Sequence, residues 1–260
     1  MKRLSSQQGF TVPELVVTVI LSGLFISLVT YFGISYWRYA LLQESDLDTF
    51  VTRLNAGDYL REAVGGSSGM LNQNSIVDTN AHVPDTSGAG SQYWQPIHAV
   101  PSTISVGSTG SFTALMYFRR PAQSTNGSFI MNGTQPYHDE YVLYLDGTTK
   151  ELRVRTLANS AATGNSRVTT CPPSSATISC PADKVVAKDL ASVATRFFSR
   201  SGNTVDYTAS TDPITGEYNG PDYSVVEVVE FTLNITRKPL FQKTNATQNS
   251  TIVRIALRNS

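Results

Sequence analysis

The feature that most constrains this chain is an uninterrupted run without charge near its amino terminus. Residues 15–37 contain no Asp, Glu, Lys or Arg over 23 positions. A helix of that length is about 35 Å long, which is enough to cross the hydrocarbon core of a bilayer. The alternative is the core helix of a globular domain, which rarely has so long a stretch without one charged position. The run therefore predicts a membrane-spanning helix, with residues 10–37 as its bounds.

The residues before the run distinguish it from an ordinary secretory signal. Lys2 and Arg3 come first, followed by a polar stretch that ends in Gly9. Basic residues stay on the cytoplasmic side, so we expect a cytoplasmic amino terminus, a single membrane pass and an extracytoplasmic head. In a secretory signal the cleavage site follows the apolar run. Here the small residue precedes the run, so cleavage after Gly9 would remove residues 1–9 as a leader and leave the helix on the mature protein.

Glu14 is a carboxylate at the very edge of the apolar helix. A charge in that position is costly unless a partner compensates it. Cleavage between Gly9 and Phe10 would create such a partner, because it releases an amino group four residues before Glu14. The carboxylate can then pair with that amine in its own chain or in a neighbouring copy. The pairing would cancel two charges that neither helix buries well alone, and it would fix the axial register of packed helices.

The stretch QQGFTVPELVV resembles the leader site of type IV prepilins and of type II secretion pseudopilins. Those proteins share Gly followed by Phe, then Thr, with Glu as the fifth mature residue, and the matching residues here are Gly9, Phe10, Thr11 and Glu14. Pro13 departs from the family's aliphatic residue, which is a mild change in a first helical turn. The resemblance implies cleavage after Gly9 and N-methylation of Phe10 by a prepilin peptidase. It also implies storage in the membrane and assembly with other pilin subunits through the amino-terminal helix.

The apolar helix continues into an amphipathic stalk over residues 38–66. Gly65 and Gly66 follow the last helical position and predict the stop. We expect this half to pack on its own head through an apolar stripe at helical spacing. The stripe consists of Leu47, Phe50, Val51 and Leu54.

Residues 67–260 form the predicted head, and their patterns favour strands. The segment YVLYLDGTTKELRV places apolar runs on both sides of Asp146 and Gly147, which predicts a hairpin. Two later runs, residues 223–236 and 251–257, should pair as an antiparallel hairpin with a long loop. A long helix packed on an antiparallel sheet is an α+β fold.

The carboxyl-terminal part of the head is less uniform in pattern. Residues 185–200 fit either a short helix or a strand that leads to a turn. The chain closes with a Val-rich strand over residues 225–236, a loop, and a final strand over residues 252–259. This ending resembles larger minor pilins and the J-type minor pseudopilins. Together with the size of the head, it favours a minor rather than a major subunit.

The charge balance argues against broad electrostatic binding to nucleic acid. Lys plus Arg and Asp plus Glu number 20 each, so the formal net charge is zero. A local basic patch is still compatible with this balance, because net charge averages over the whole surface.

Cys171 and Cys180 are the only cysteines, and they flank the Pro- and Ser-rich segment CPPSSATISC. The spacing is not that of a Cys-x-x-Cys motif, and two thiols without nearby His make a poor zinc site. We expect a disulfide that closes a short loop, which requires an oxidising compartment. The alternative is a pair of reduced thiols in a cytosolic loop.

The sequence contains no recognisable pattern of catalytic residues. His82, His98 and His138 are scattered, and there is no Gly-x-Ser-x-Gly, Walker or Rossmann motif. His138 is followed by Asp139 and Glu140, which we interpret as a solvated loop before a strand. The sequence therefore predicts that the protein is not an enzyme and needs no catalytic cofactor.

One loop, STDPITGEYNGPDY, combines oxygen-bearing side chains with two glycines. Carboxylate and amide oxygens on a tight loop can hold Ca²⁺, and the loop resembles those with which some pseudopilin heads bind calcium. The spacing is not that of an EF-hand, and an ordinary polar turn is the commoner case. The residues that would bind the ion are Asp212, Glu217, Asn219 and Asp222.

These observations favour a structural subunit of a type IV pilus or a type II secretion pseudopilus at the cell surface. The alternative is a surface adhesin that uses the same membrane anchor, with Tyr93 and Trp94 as contacts to a surface or glycan. In a packed loop the same two aromatics would serve only as anchors. A membrane-tethered enzyme is disfavoured because the sequence holds no catalytic constellation.

Overall fold

The structure is a computed structural model that describes residues 11–71, 74–80, 104–105, 112–205, 223–236 and 248–257. It divides into two compact units. The first unit contains the amino-terminal helix up to Leu47, and the second begins at Asp48 with the end of that helix. All described strands belong to the second unit.

One helix, α1 (Val12–Gly65), covers 54 residues. It passes through Gly57 without interruption and ends where the two glycines predicted its stop. Gly66 N donates to the carbonyl of Glu62 at 3.2 Å, which continues the helical hydrogen bonding by one residue. The predicted end of the stalk is therefore confirmed.

The part of α1 in the first unit is long and apolar enough to cross a membrane. Every residue from Thr11 to Ala40 is exposed. Hydroxyl groups in this stretch donate to carbonyls four residues earlier: Ser27 to Gly23 at 2.8 Å and Thr30 to Ile26 at 2.8 Å. Polar side chains that bond to their own helix do not need water, which makes them compatible with a lipid environment.

In the second unit α1 buries a face made mostly of small and aliphatic residues. A Cβ added at Gly57 would lie 3.6 Å from Cγ2 of Val253, so the helix backbone approaches the sheet closely. Small side chains permit that approach, which leaves less room for bulky ones. The buried residues are Thr49, Ala56, Gly57, Leu60, Ala63 and Val64.

The second half of α1 therefore packs on the head as predicted, but through this face. The apolar stripe that was expected to make the contact is exposed instead, so that part of the prediction is wrong. Leu47, Phe50, Val51 and Leu54 retain 63%, 52%, 43% and 49% of their accessible surface. At 100° per residue the stripe lies about 130° around the helix from the buried face. The periodicity correctly located an apolar face. It could not show that a second face, built largely on alanine and glycine, packs inward.

Eleven strands follow α1 among the described residues. In chain order they are β1 (Gly69–Leu71), β2 (Ile104–Ser105), β3 (Phe112–Pro121), β4 (Met131–Asn132), β5 (Gln135–Pro136), β6 (His138–Asp146), β7 (Glu151–Leu157), β8 (Lys184–Ala187), β9 (Leu190–Ser199), β10 (Val226–Thr236) and β11 (Gln248–Ala256). They form a five-stranded sheet in the order β1-β3-β6-β7-β8, a four-stranded sheet in the order β11-β10-β9-β2, and the ribbon β4-β5. All pairings within them are antiparallel, so the predicted α+β fold is confirmed.

The hairpin predicted around Asp146 and Gly147 is formed by β6 and β7. Asp146 pairs with Glu151, and its carboxylate accepts hydrogen bonds from the backbone N of Thr148 and Thr149 at 3.0 and 3.1 Å. Such a bond to the residue two positions on is how an aspartate closes a turn. β6 lies in the middle of its sheet, and both of its faces are buried.

Residues 185–200, which fitted either a helix or a strand, form strands. In β9 the buried Val193, Thr195 and Phe197 alternate with less buried neighbours, as the two-residue period of a strand requires. The last two runs also pair as predicted, because β10 and β11 are antiparallel over nine residue pairs. β11 begins at Gln248, earlier than the sequence pattern indicated.

Candidate assembly surface

Several predicted site residues lie outside the described residues. They are the cleavage and methylation site Gly9 and Phe10, the candidate calcium ligands Asp212, Glu217, Asn219 and Asp222, the aromatic pair Tyr93 and Trp94, and the histidines His82 and His98. The other predicted residues, Glu14, His138, Cys171 and Cys180, are described.

Glu14 lies in the first turn of α1 and closes it. Its Oε2 accepts hydrogen bonds from the backbone N of Thr11 at 2.9 Å and from Oγ1 of Thr11 at 2.8 Å. A carboxylate three residues into a helix that reaches back to the capping residue forms half of a capping box. The helix dipole also favours a negative charge at this end. The carboxylate is therefore held at the start of the helix by Thr11.

The first unit leaves an unusually large apolar surface uncovered. Between Val12 and Tyr39, eighteen large apolar or aromatic side chains are at least half exposed. Burying one such side chain contributes about 1.5–3 kcal/mol. This surface is therefore unfavourable in water and is suited to lipid or to other apolar helices. Tyr36, Trp37 and Tyr39 lie at its end, where amphipathic rings suit a membrane–water interface.

The exposed stripe Leu47, Phe50, Val51 and Leu54 carries apolar character further along α1. It gives way to a polar surface at Asp58 and Arg61, whose side chains form an exposed ion pair at 3.1 Å. An exposed pair of this kind contributes at most about 1 kcal/mol to stability. The stripe is thus a short apolar surface with a polar end, suited to packing against another helix.

The head contains a buried charge cluster, which consists of Arg155, Asp183, Asp78, Tyr144 and Thr170. Nε and Nη2 of Arg155 donate to the two carboxylate oxygens of Asp183 at 2.6 and 2.8 Å, and Nη1 donates to Asp78 at 2.7 Å. Tyr144 and Thr170 also donate to Asp183, at 2.6 and 2.7 Å. Burial acts to lower the pKa of Arg155, but hydrogen bonding and charge from Asp183, together with Asp78, raise it on balance. The guanidinium is therefore held charged inside the head.

The predicted disulfide between Cys171 and Cys180 is present. Backbone hydrogen bonds continue the link beyond the sulfur atoms. The N of Cys171 donates to the carbonyl of Pro181 at 2.8 Å, and the N of Asp183 donates to the carbonyl of Cys171 at 2.9 Å. The closed loop therefore ends directly beside the buried charge cluster.

The interpretation of His138, Asp139 and Glu140 as a solvated loop is wrong. The three residues open β6, and both carboxylates are buried. Asp139 accepts hydrogen bonds from the backbone N of Asn159 at 2.9 Å and from Nδ2 of Asn165 at 2.7 Å. The carboxylates serve as acceptors for neighbouring segments and do not converge on a common site.

Glu140 fastens the segment that follows β1. It accepts hydrogen bonds from the backbone N of Ser75 at 2.7 Å, from the backbone N of Ile76 at 2.9 Å, and from the hydroxyl of Ser75. The carboxylate thus replaces the strand partner that these two backbone N–H groups would otherwise need. Within the described residues, no group of His, Cys, Asp or Glu is arranged to hold a metal ion.

Sequence reasoning missed the buried charge cluster. Arg155 is 77 residues from Asp78 and 28 from Asp183, so no short motif joins them. The only local signal is that Asp183 follows Cys180 by three residues. Comparisons find no protein-family model, no curated protein and no solved structure that matches this chain.

Proposed function

We propose that this chain is a minor pilin or pseudopilin, a structural subunit that a prepilin peptidase processes and that assembles into a type IV filament. The observation that carries the proposal is an uncovered apolar helix with Glu14 in its first turn, directly after the Gly9-Phe10 pair. Such a helix requires lipid before assembly and other helices afterwards. The subunit works by packing and not by bond chemistry.

The head supports an extracytoplasmic location under this proposal. The disulfide between Cys171 and Cys180 is stable in an oxidising compartment. Lys2 and Arg3 hold the amino terminus on the cytoplasmic side by the positive-inside rule. The chain then crosses the membrane once, and its head lies outside before and after assembly.

Glu14 gives the proposed cleavage a physical role. In the uncut chain its carboxylate caps the helix through Thr11. After cleavage, the new amine of Phe10 provides a positive charge beside the same carboxylate. A pair of opposite charges enters an apolar helix bundle more easily than either charge alone. Copies that pair in this way share one axial register.

Mass spectrometry of the mature amino terminus tests the processing step. Co-expression with an active prepilin peptidase should remove residues 1–9 and add one methyl group to Phe10. A Gly9→Val variant should stay uncut, because its larger side chain occupies the cleavage position. A wild-type chain that still begins at Met1 after co-expression with an active peptidase would contradict the proposal.

Recovery in sheared filaments tests the assembly step. Glu14→Ala should be processed yet incorporated at a clearly reduced level, because the amine of Phe10 loses its partner. Glu44→Ala is the matched control, since it removes an exposed carboxylate from the same helix away from the start. Equal incorporation of Glu14→Ala and Glu44→Ala would contradict the role assigned to Glu14.

A further inference from the structure

We propose that the Cys171–Cys180 disulfide locks the 74–80 segment onto the head through Asp183 and Arg155. The end of the segment, at Asp78 and Asn80, is then held in the oxidised protein and released in the reduced one. The coupling itself requires only contacts within the head. Its timing in the cell, after export, rests on the extracytoplasmic location argued above.

The first link runs from the disulfide to Asp183. The bridge closes the loop at Cys180, and only two residues separate that cysteine from Asp183. The backbone of Cys171 bonds to both Pro181 and Asp183, so the two ends of the loop lie side by side. Breaking the bridge returns conformational freedom to the loop that leads into Asp183. The two backbone hydrogen bonds and the side-chain bonds from Arg155, Tyr144 and Thr170 then have to hold Asp183 without the covalent link.

The second link runs from Asp183 to Arg155. Both carboxylate oxygens of Asp183 accept from the guanidinium, and both side chains are fully buried. A buried guanidinium is stable only when its charge and its N–H groups are satisfied. If Asp183 withdraws, water has to enter to solvate Arg155. The remaining pair with Asp78 then becomes hydrated and weak.

The third link runs from Arg155 to the 74–80 segment. Nη1 of Arg155 donates to Oδ2 of Asp78 at 2.7 Å and to the carbonyl of Asn80 at 3.2 Å. These bonds hold the end of the segment, while Glu140 holds Ser75 and Ile76 near its beginning. The segment has no strand pairing among the described residues, so side-chain contacts such as these fix its place.

The redox step is an ordinary thiol–disulfide exchange. Dithiothreitol supplies two electrons and two protons, the S–S bond breaks, and the reagent leaves as a cyclic disulfide with Cys171 and Cys180 as thiols. The reverse step requires a disulfide donor that accepts two electrons. Cytoplasmic thiol buffers keep the pair reduced, so the lock would close only after the head has left the cytoplasm.

Hydrogen exchange with mass spectrometry on the full-length chain in detergent micelles tests the coupling. Treatment with dithiothreitol should speed exchange of the amides of residues 77–80 about tenfold. The amides of Ser75 and Ile76, which Glu140 holds, should keep their protection, as should β6 and β7. The double variant Cys171→Ser, Cys180→Ser should reproduce this result without reductant. If only residues 172–182 respond to reduction, the coupling does not exist. Loss of protection throughout β6 and β7 would also overturn it, because the disulfide would then support the whole head.

Asp78→Asn decides whether the coupling passes through the buried charge cluster. The variant keeps the side-chain size and leaves the disulfide intact, yet it removes the charge that Arg155 holds. The oxidised variant should already exchange rapidly over residues 77–80, and dithiothreitol should add little more. A reduction effect of undiminished size in Asp78→Asn would show that the disulfide acts by another route. Neither result depends on cleavage at Gly9, so this test fails or succeeds independently of the filament proposal.

Discussion

The two units of this chain treat apolar and charged side chains in opposite ways. In the first unit, α1 exposes its leucines, valines and aromatics from Val12 to Tyr39. In the second, the head buries Arg155 between Asp78 and Asp183. Each of the three guanidinium nitrogens donates a hydrogen bond to one of these carboxylates. Uncovered apolar surface is unfavourable in water, and a buried charge is stable only when it is paired. We infer that the head compensates the charge of Arg155 with its own side chains, whereas the described residues leave the apolar surface of the helix uncovered.

The largest expected effect is at the buried charge cluster. Arg155→Ala leaves Asp78 and Asp183 buried without their cation, and it should lower the free energy of unfolding by about 3–5 kcal/mol. Urea denaturation of the full-length chain in micelles, followed by circular dichroism, measures this. Arg61→Ala is the control, because it breaks an exposed pair and should change the free energy of unfolding by less than about 1 kcal/mol. Equal losses would mean that the head does not depend on its internal charges.

Two leucines of α1 allow its buried face to be compared with its exposed face. Leu60 is fully buried and Leu54 is 49% exposed. Leu60→Ala should lower the free energy of unfolding by about 2–5 kcal/mol, because it leaves a cavity in the core. Leu54→Ala should change it by no more than about 0.5 kcal/mol. The same urea titrations compare the two variants. A large loss of stability in Leu54→Ala would mean that the stripe is buried in the folded protein.

The buried Tyr141 should make the head less stable at high pH. Burial raises the pKa of Tyr141 to about 12, against the opposing charge of Arg167, whereas an unfolded tyrosine ionises near pH 10. The folded state therefore keeps a proton that the unfolded state loses, and stability falls as the pH rises from 10 towards 12. This group contributes about 2 kcal/mol to that fall.

Tyr141→Phe should remove that part of the alkaline loss. The ring can keep its stacked contact with Phe118, whose centroid lies 5.1 Å away. Among the described residues the Tyr141 hydroxyl has no hydrogen-bond partner, so its removal should not lower stability at pH 7. Urea midpoints at pH 8 and pH 11 for both proteins provide the measurement. Parallel pH profiles would show that the hydroxyl stays accessible to water.

The smallest expected effect concerns the close approach of helix and sheet. Gly57→Ala should raise the free energy of unfolding by about 0.5–1 kcal/mol, since alanine favours a helix interior. Its Cβ would make an ordinary contact with Val253 at 3.6 Å. In Gly66→Ala the Cβ would lie 3.0 Å from the carbonyl oxygen of Glu62, so this variant should destabilise. Thermal midpoints of the two variants should move in opposite directions, and a lower midpoint for Gly57→Ala would mean that the packed face has no spare room.

Much of the fold could be predicted where the chemistry is local. The stop at Gly65 and Gly66, the hairpin at Asp146, and the bridge between Cys171 and Cys180 each follow from a short segment. The inward face of α1 could not be predicted in this way. Which of two apolar faces packs depends on the shape of the sheet that it meets, and that shape is set by strands far along the chain.

The residues of the candidate site could likewise be predicted only where the chemistry is local. Glu14 and its capping of α1 follow from a few adjacent residues. Arg155, Asp78 and Glu140 act across the fold, and sequence patterns assigned them to no site. The sequence predicts a solvated loop at Glu140 because three polar residues, His138, Asp139 and Glu140, follow one another. In the fold, Glu140 accepts the backbone N–H groups of Ser75 and Ile76.

The short strand β1 adds a second mechanical connection between α1 and the sheet, beyond the buried face of the helix. Immediately after α1 ends, Ser68 N donates to the carbonyl of Arg119, and Gly69 and Leu71 pair with β3. Tension along the helix therefore passes into the five-stranded sheet within about six residues of the last helical turn. The 74–80 segment follows β1 in the chain, so tension would not reach it until β1 had separated from β3. Unravelling of the head from its amino-terminal side would have to peel the buried face of α1 from the sheet and then strip β1 from β3.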